Sequence, residues 1–118
     1  MSQRQIKFYK TEKNECLVED FLDTLTDKVV EKITWTLRII RDEQRISHRF
    51  LKKLTNTDIW EIRIEIFSDI YRIFCFFDAG NLVILTHGFQ KKTQKTPKAE
   101  IDRAEKYRKD YLRRKKDG

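Results

Sequence analysis

The chain has 118 residues, of which 39% are hydrophobic and 38% are charged, a composition typical of a domain with one modest core. No apolar run approaches the roughly 20 residues of a membrane span, and no apolar stretch follows residues 1–4 as a secretory signal requires. We therefore expect a single domain, residues 1–118, that is cytoplasmic and has no membrane partner.

The two cysteines, Cys16 and Cys75, lie far apart in the sequence. Neither has a cysteine or histidine nearby at the spacing of metal ligands. We expect both to be buried thiols in a reducing compartment, and we expect no metal site and no cofactor.

The net charge of +7 is concentrated at the C-terminal end. Residues 1–86 contain 14 basic and 14 acidic side chains, whereas residues 87–118 contain 12 basic and 5 acidic ones. A basic block of this kind indicates a polyanionic partner such as nucleic acid. A solvated helix face or an acidic partner protein would explain the charge equally well.

The N-terminal half of the chain has helical periodicity after a short strand at residues 6–9. Asn14 is expected to cap a first helix that ends near residue 25, and Thr26 or Asp27 a second that ends near residue 44. Apolar residues recur at helical spacing in both helices, and almost no loop separates them, which predicts a helical hairpin.

The periodicity becomes alternating after an irregular segment at residues 47–58. Strands are expected at residues 59–67, 70–77 and 82–89, joined by tight turns. Thr96 should cap a last helix, with Pro97 in its first position, that ends near residue 114. The predicted order is β-α-α-β-β-β-α, an α+β fold with a small, mostly antiparallel sheet packed on a helical hairpin.

The alternation within the first two of these strands brings two arginines together. Trp60 and the isoleucines after it form the core face, so Glu61, Arg63 and Glu65 face the other way. A hairpin loop of even length then places Arg72 beside Arg63 on this open face. Two adjacent like charges cost up to about 1 kcal/mol. The pair is either part of a solvated ladder with the two glutamates, or an anion site aimed at a phosphate.

Further basic residues follow the last strand. Lys91 and Lys92 lie at its end, and Lys95 lies in the loop before the last helix, within reach of the arginines. Gly88 permits a bulge or a close backbone approach. Lys52 and Lys53, just before the sheet, could extend the basic rim or could simply be solvated.

Aromatic side chains on the strands are candidates for stacking on unpaired bases. They are Phe74, Phe76 and Phe89, and at least two of the three are expected to be core residues. His87 alone is a weak signal, because a single histidine at a strand end is more often structural. Glu61 is the acidic candidate for a general base, and neither a catalytic triad nor a glycine-rich phosphate loop is present.

Six segments carry a family resemblance: Trp60-Glu-Ile-Arg63, Ile70-Tyr-Arg72-Ile-Phe, Leu85-Thr-His-Gly-Phe89, Lys91-Lys-Thr-Gln-Lys-Thr-Pro97, Glu100-Ile-Asp-Arg-Ala104 and Asp110-Tyr111. Together they resemble the HigB-like branch, often labelled phage-derived, of the RelE/ParE toxin superfamily. The resemblance covers most of the chain, and the segment 88–97 is its most specific part.

The resemblance implies a RelE-like fold and a ribosome-dependent endoribonuclease that is silenced by a cognate helix-turn-helix, HigA-like antitoxin. In such enzymes the 2′-hydroxyl of mRNA in the ribosomal decoding site attacks the adjacent phosphate, and cationic groups stabilise the transition state. Family positions match Arg63, Arg72, Lys91 and Lys92 as catalytic residues. Glu61 departs from the founding branch, where a lysine is the base, so it would either accept the proton or orient Arg63.

The residues expected to bind RNA are Lys52, Lys53, His87, Phe89 and Lys95. Two rival functions remain open. One is a gyrase poison of the ParE type, which would cause DNA damage, and the other is a nucleic-acid-binding module without catalytic activity. Cleavage of message during translation distinguishes the nuclease from both.

Overall fold

A computed structural model describes residues 3–93 and 95–118 of the chain. It contains three helices and five strands within these residues. In chain order they are β1 (Gln5–Phe8), α1 (Leu17–Asp23), α2 (Asp27–Asp42), β2 (Leu51–Lys53), β3 (Trp60–Ile66), β4 (Asp69–Asp78), β5 (Leu82–Lys91) and α3 (Lys98–Asp117).

The five strands form one open sheet in the order β1-β5-β4-β3-β2. β1 runs parallel to β5, and the other neighbours are antiparallel. This architecture confirms the predicted α+β class. Strand β2 was missed, because three residues are too few to show alternation. It exists through its pairing with β3, in which Leu51 lies opposite Ile62.

Two predicted helix starts were wrong. α1 begins at Leu17 with Cys16 as its N-cap, because Asn14 has a φ of 65° and lies in a turn rather than at a helix start. α3 begins at Lys98 with Pro97 as its N-cap, because Thr96 donates its hydroxyl to Glu61 rather than capping the helix. The cap at Thr26 is confirmed, since its side chain accepts from the backbone N–H of Val29.

The sheet packs on both of its faces. Helices α1 and α2 cover one face, where Ile33, Ile62, Ile73 and the two cysteine thiols are buried. Helix α3 covers part of the other face and buries Phe74 and Phe76 against Ala104. The sequence predicted that the sheet face carrying Arg63 and Arg72 is open. This prediction was wrong where α3 crosses that face, because Ala104 and its neighbours on α3 form an apolar stripe that must be buried.

Hydrogen bonds and ion pairs fix α3 across the sheet. Asp78, at the end of β4, accepts hydrogen bonds from Tyr111 (2.8 Å) and from Lys115 (2.8 Å). The bond from Lys115 contributes most to lowering the pKa of Asp78. Much of the C-terminal positive charge is engaged in this way, in ion pairs made by Lys98, Arg103, Arg108, Arg113, Arg114 and Lys115.

No helix within residues 3–93 and 95–118 is long and apolar enough to cross a membrane.

Candidate anion-binding site

The two strand arginines are direct neighbours. Arg63 of β3 lies opposite Arg72 of β4, and Arg72 in turn lies opposite Phe89 of β5. Directly paired residues of an antiparallel sheet share a face, so the predicted cross-strand pair is confirmed. The two guanidinium groups therefore converge at the end of the sheet where α3 begins.

A β-bulge decides which residues of β5 join this face. Phe74 pairs with His87 but Cys75 pairs with Leu85, so Thr86 is an extra residue in β5. Its hydroxyl donates to the carbonyl oxygen of Phe74 at 3.2 Å. The bulge reverses the alternation of the strand, and this reversal brings Lys91 to the side of the sheet that carries Arg72.

The same reversal turns Gly88 towards the opposite face, where helix α1 lies. A β-carbon on Gly88 would lie 2.4 Å from a ring carbon of Phe21, which is closer than packed atoms approach. Gly88 is therefore required for close packing of α1, and the predicted close backbone approach is confirmed.

The carboxylate of Glu61 lies between the two arginines, close to the loop that precedes α3. Its side chain is 3% exposed. One carboxylate oxygen lies 3.5 Å from Nε of Arg63 and the other 3.4 Å from Nε of Arg72. The hydroxyl of Thr96 also donates to Glu61, at 3.2 Å. With two guanidinium groups within ion-pair distance and one hydroxyl donor, this carboxylate holds the two arginines near each other.

Positive charge nevertheless exceeds negative charge here. The Nε atoms of Arg63 and Arg72 are buried without a hydrogen-bond partner among the described residues, because their contacts with Glu61 lack hydrogen-bonding alignment. Burial, followed by the neighbouring charge of Arg72, lowers the pKa of Lys91. Buried donors without partners and a lysine whose pKa is lowered by burial and by a neighbouring cation are features of a site suited to bind an anion. We call Glu61, Arg63, Arg72, Lys91 and Thr96 the cation cluster.

The other predicted lysines do not all lie near the cluster. Lys52 pairs with Glu61 across β2 and β3 and so shares its face. Lys53 pairs with Trp60, and so faces the other side of the sheet. Its predicted place on the basic rim is wrong, because side chains alternate along a strand. Lys92 and Lys95 are exposed and border the loop between β5 and α3.

His87 is a core residue. It is 2% exposed, and its ring nitrogens lie 3.1 Å from the Thr86 hydroxyl and 3.3 Å from the Glu100 carboxylate. Burial, followed by the charge of Arg103, lowers its pKa to about 4, so the ring is neutral at pH 7. The expectation that His87 contacts RNA is not supported, because α3 covers it.

Phe89 is half-buried and packs edge-on against Phe74, with ring centroids 5.1 Å apart. Phe74 and Phe76 are core residues, as expected for at least two of the three phenylalanines.

Thr96 is the member of the cation cluster that the sequence reasoning missed. A threonine before proline at a helix start is ordinarily a capping residue, and its contact with Glu61 depends on the fold.

Within residues 3–93 and 95–118, no group of three or more His, Cys, Asp or Glu side chains is arranged to hold a metal ion. The cation cluster itself offers guanidinium, ammonium, carboxylate and hydroxyl groups. Such groups bind and stabilise phosphate-like anions.

The fold and the site together define the class. A mostly antiparallel five-stranded sheet with a cationic cluster beside its C-terminal helix is consistent with the RelE-like class of α+β proteins. The chain belongs to the family described as phage derived protein Gp49-like (DUF891), whose model matches residues 20–109. This family is associated with the toxins of toxin–antitoxin systems and is compatible with a nuclease-type activity. No curated protein matched the sequence.

Proposed function

We propose that the chain is the toxin of a type II toxin–antitoxin system and that it cleaves mRNA on the ribosome. The observation that carries this proposal is the cation cluster. Arg63, Arg72 and Lys91 converge beside a single buried carboxylate. A phosphodiester that gains a second negative charge during cleavage is the ligand such a cluster stabilises most.

In the proposed reaction, the 2′-hydroxyl oxygen attacks the adjacent phosphorus and the bond from phosphorus to the 5′-oxygen breaks. The products are a 2′,3′-cyclic phosphate, which water can open, and a fragment with a 5′-hydroxyl, whose oxygen takes up a proton from water as the proton acceptor retains the one released by the 2′-hydroxyl. Arg63, whose side chain is 30% exposed, would donate to the non-bridging oxygens of the transition state, and the buried Arg72 would stabilise the same charge from within the sheet. Exposed Lys92 and Lys95 would contact neighbouring phosphates of the RNA, and Lys52 would extend the basic rim.

We assign Glu61 the positioning of the two arginines. Its carboxylate lies within ion-pair distance of both arginines and accepts from Thr96, so it is not free to approach a substrate hydroxyl. Lys91 is the better candidate for the proton acceptor, because it lies on the sheet face of Arg72, and burial together with the charge of Arg72 lowers its pKa. The pH profile of a Lys91→Arg variant tests this assignment, since guanidinium keeps the charge but cannot accept the proton.

We base the proposed ribosome dependence on the composition of the site. Among the described residues, the cluster provides cations and one candidate proton acceptor, and the RNA chain must still be aligned for in-line attack. The ribosome would supply this alignment, which accounts for a large share of catalysis in such reactions.

The experiment is cleavage of a defined mRNA by the purified chain, with and without translating ribosomes, followed by mapping of the cut ends. We expect cleavage on ribosomes and little cleavage of free RNA. Arg63→Ala should lose most of this cleavage and remain folded, because the Arg63 side chain is 30% exposed and contributes little to the core. Equal cleavage of free RNA would overturn the ribosome dependence. DNA damage with trapped gyrase and intact mRNA would favour the ParE-like alternative, and RNA binding without either effect would favour the non-catalytic module.

We further propose a cognate helix-turn-helix, HigA-like antitoxin as the protein partner. The family association with toxin–antitoxin systems and the basic C-terminal third support it. Coexpression with the neighbouring reading frame should restore growth and yield a complex whose association slows as salt increases. Growth arrest that no neighbouring product relieves would contradict this part of the proposal.

A further inference from the structure

Two large apolar side chains stand out on the surface of the described residues. Trp35 of α2 is 45% exposed, and Phe67, between β3 and β4, is 93% exposed. Both line a shallow cavity of about 510 Å³ together with two lysines and two glutamates, Lys28, Lys32, Glu31 and Glu65. Two exposed aromatic rings in one cavity are a candidate binding surface.

The conformation of Phe67 is unfavourable for its residue type. Ile66 pairs with Asp69, so Phe67 and Ser68 form a two-residue hairpin loop. Phe67 has a φ of 55°, at the loop position where glycine is preferred. The chain therefore keeps a strained backbone and an exposed aromatic ring at the same residue, and neither stabilises the fold. Features of this kind concentrate at functional sites.

Cations accompany these rings. Nζ of Lys32 lies 4.4 Å from the centroid of the Trp35 ring. The Trp35 ring meets Phe50 edge-on at 5.7 Å, and the guanidinium of Arg49 lies 5.7 Å from the Phe50 ring. Aromatic rings interleaved with cations match a ligand that carries both flat bases and phosphates.

The surface is continuous with the cation cluster. A second, small cavity is lined by Lys32, Arg49, Phe50, Arg63 and Glu65. It shares Lys32 and Glu65 with the first cavity, and Arg63 with the cluster. Nη1 of Arg63 also donates to the carbonyl oxygen of His48 at 3.4 Å. A ligand held at Arg63 could therefore extend along this path to Trp35 and Phe67.

We propose that Trp35 and Phe67, with Lys32 and Arg49, form a stacking platform for unpaired RNA bases that flank the phosphate held at Arg63. The platform rests on the proposed function, since it binds the same RNA as the cation cluster. RNA is favoured over a protein partner because Lys32 and Arg49 lie against the aromatic rings on the path to Arg63, where cations outnumber carboxylates.

Two substitutions test the platform, and a third controls for the backbone. Phe67→Gly removes the ring and relieves the positive φ, so its melting temperature should equal or exceed that of the unmodified chain. Its affinity for a short unstructured oligouridylate should fall about fivefold to a hundredfold, and Trp35→Ala should show a similar loss. Ala79→Gly changes a residue with a φ of 49° in another turn, and should leave RNA affinity unchanged.

Tryptophan fluorescence provides a direct readout of stacking. The oligouridylate should quench the emission of the unmodified chain, and the quenching should be absent in Trp35→Phe, which leaves Trp60 as the remaining tryptophan. Inorganic polyphosphate of similar charge should bind without this quenching. Equal quenching by polyphosphate, or unchanged RNA affinity in both Phe67→Gly and Trp35→Ala, would overturn the platform.

The platform and the proposed nuclease fail in distinguishable ways. Stacking that depends on Trp35 in a chain that cleaves no mRNA would support the platform and overturn the nuclease. Normal ribosome-dependent cleavage by Phe67→Gly and Trp35→Ala, with unchanged RNA affinity, would support the nuclease and overturn the platform. Loss of antitoxin binding by these variants with unchanged RNA affinity would assign the surface to a protein instead and would overturn the platform.

Discussion

The ion pair between Glu61 and Arg72 should be a major determinant of stability. Both side chains are buried, and the contact atoms lie 3.4 Å apart. Two unit charges at this distance attract each other by about 5 kcal/mol at an effective dielectric constant near 20. Glu61→Gln keeps the shape of the side chain but leaves the Arg72 charge buried without its counterion. Breaking a buried pair in this way typically costs about 3–5 kcal/mol, and we expect a loss of this size in the free energy of unfolding.

A double-mutant cycle separates the pair from its surroundings. Arg72→Met should cost less than Glu61→Gln, because Arg63 remains 3.5 Å from the carboxylate. The combination Glu61→Gln with Arg72→Met should be less destabilising than the sum of the single changes, with a coupling energy of about 2–3 kcal/mol. Arg63→Met is the matched control, and should cost about 1 kcal/mol or less because Arg63 is partly solvated.

Urea unfolding, followed by circular dichroism, measures all four variants. If Glu61→Gln and Arg63→Met lower the unfolding free energy equally, each by less than about 1 kcal/mol, the Glu61–Arg72 ion pair is solvated and does not stabilise the fold as expected. An absence of coupling between Glu61 and Arg72 would refute it as well.

Three further predictions concern single positions. Lys91→Ala should reduce ribosome-dependent cleavage by about 10²–10³-fold, measured in single turnovers, whereas exposed Lys92→Ala should reduce it much less; equal effects would contradict the proposed role of Lys91. Gly88→Ala should lower the free energy of unfolding by about 1–3 kcal/mol, and Phe21→Leu should recover part of this loss; a neutral Gly88→Ala would contradict the close packing. The pKa of His87 falls from 6.5 to about 4 on folding. The stability that comes from keeping this histidine neutral, up to about 3 kcal/mol, is therefore fully present above pH 6.5 and is lost as the pH falls through 4. His87→Gln should flatten the pH dependence of the unfolding free energy between these values, and an unchanged slope would refute the assignment.

Local patterns predicted most of the elements and the pairing of Arg63 with Arg72. Alternation in two adjacent strands and an even-length loop are sufficient for that pairing, because both are properties of a few neighbouring residues. The cap at Thr26 and the core face that contains Ile62 depend on equally local signals. These features were readable without knowledge of the fold.

Other features depended on contacts between distant segments. Simple alternation along β5 would have placed Lys91 on the same face as Leu85, and only the bulge at Thr86 brings it beside Arg72. Nothing in the residue pattern of β5 marks this bulge, since Thr86 is an ordinary strand residue. The same holds for β2, which exists through its partner strand.

Residue types and alternation alone indicate the class of the fold, the faces of β3 and β4, and the side chains available for phosphate chemistry. Which of these side chains meet depends on the packing of distant segments. Helix α3 covers His87, and the loop before it brings Thr96 to Glu61, because distant anchors such as the hydrogen bond from Tyr111 to Asp78 hold the helix across the sheet. Periodicity reports how each segment divides its side chains between two faces, but which segment covers a face depends on packing between residues far apart in the chain, and that information is not present in any local window.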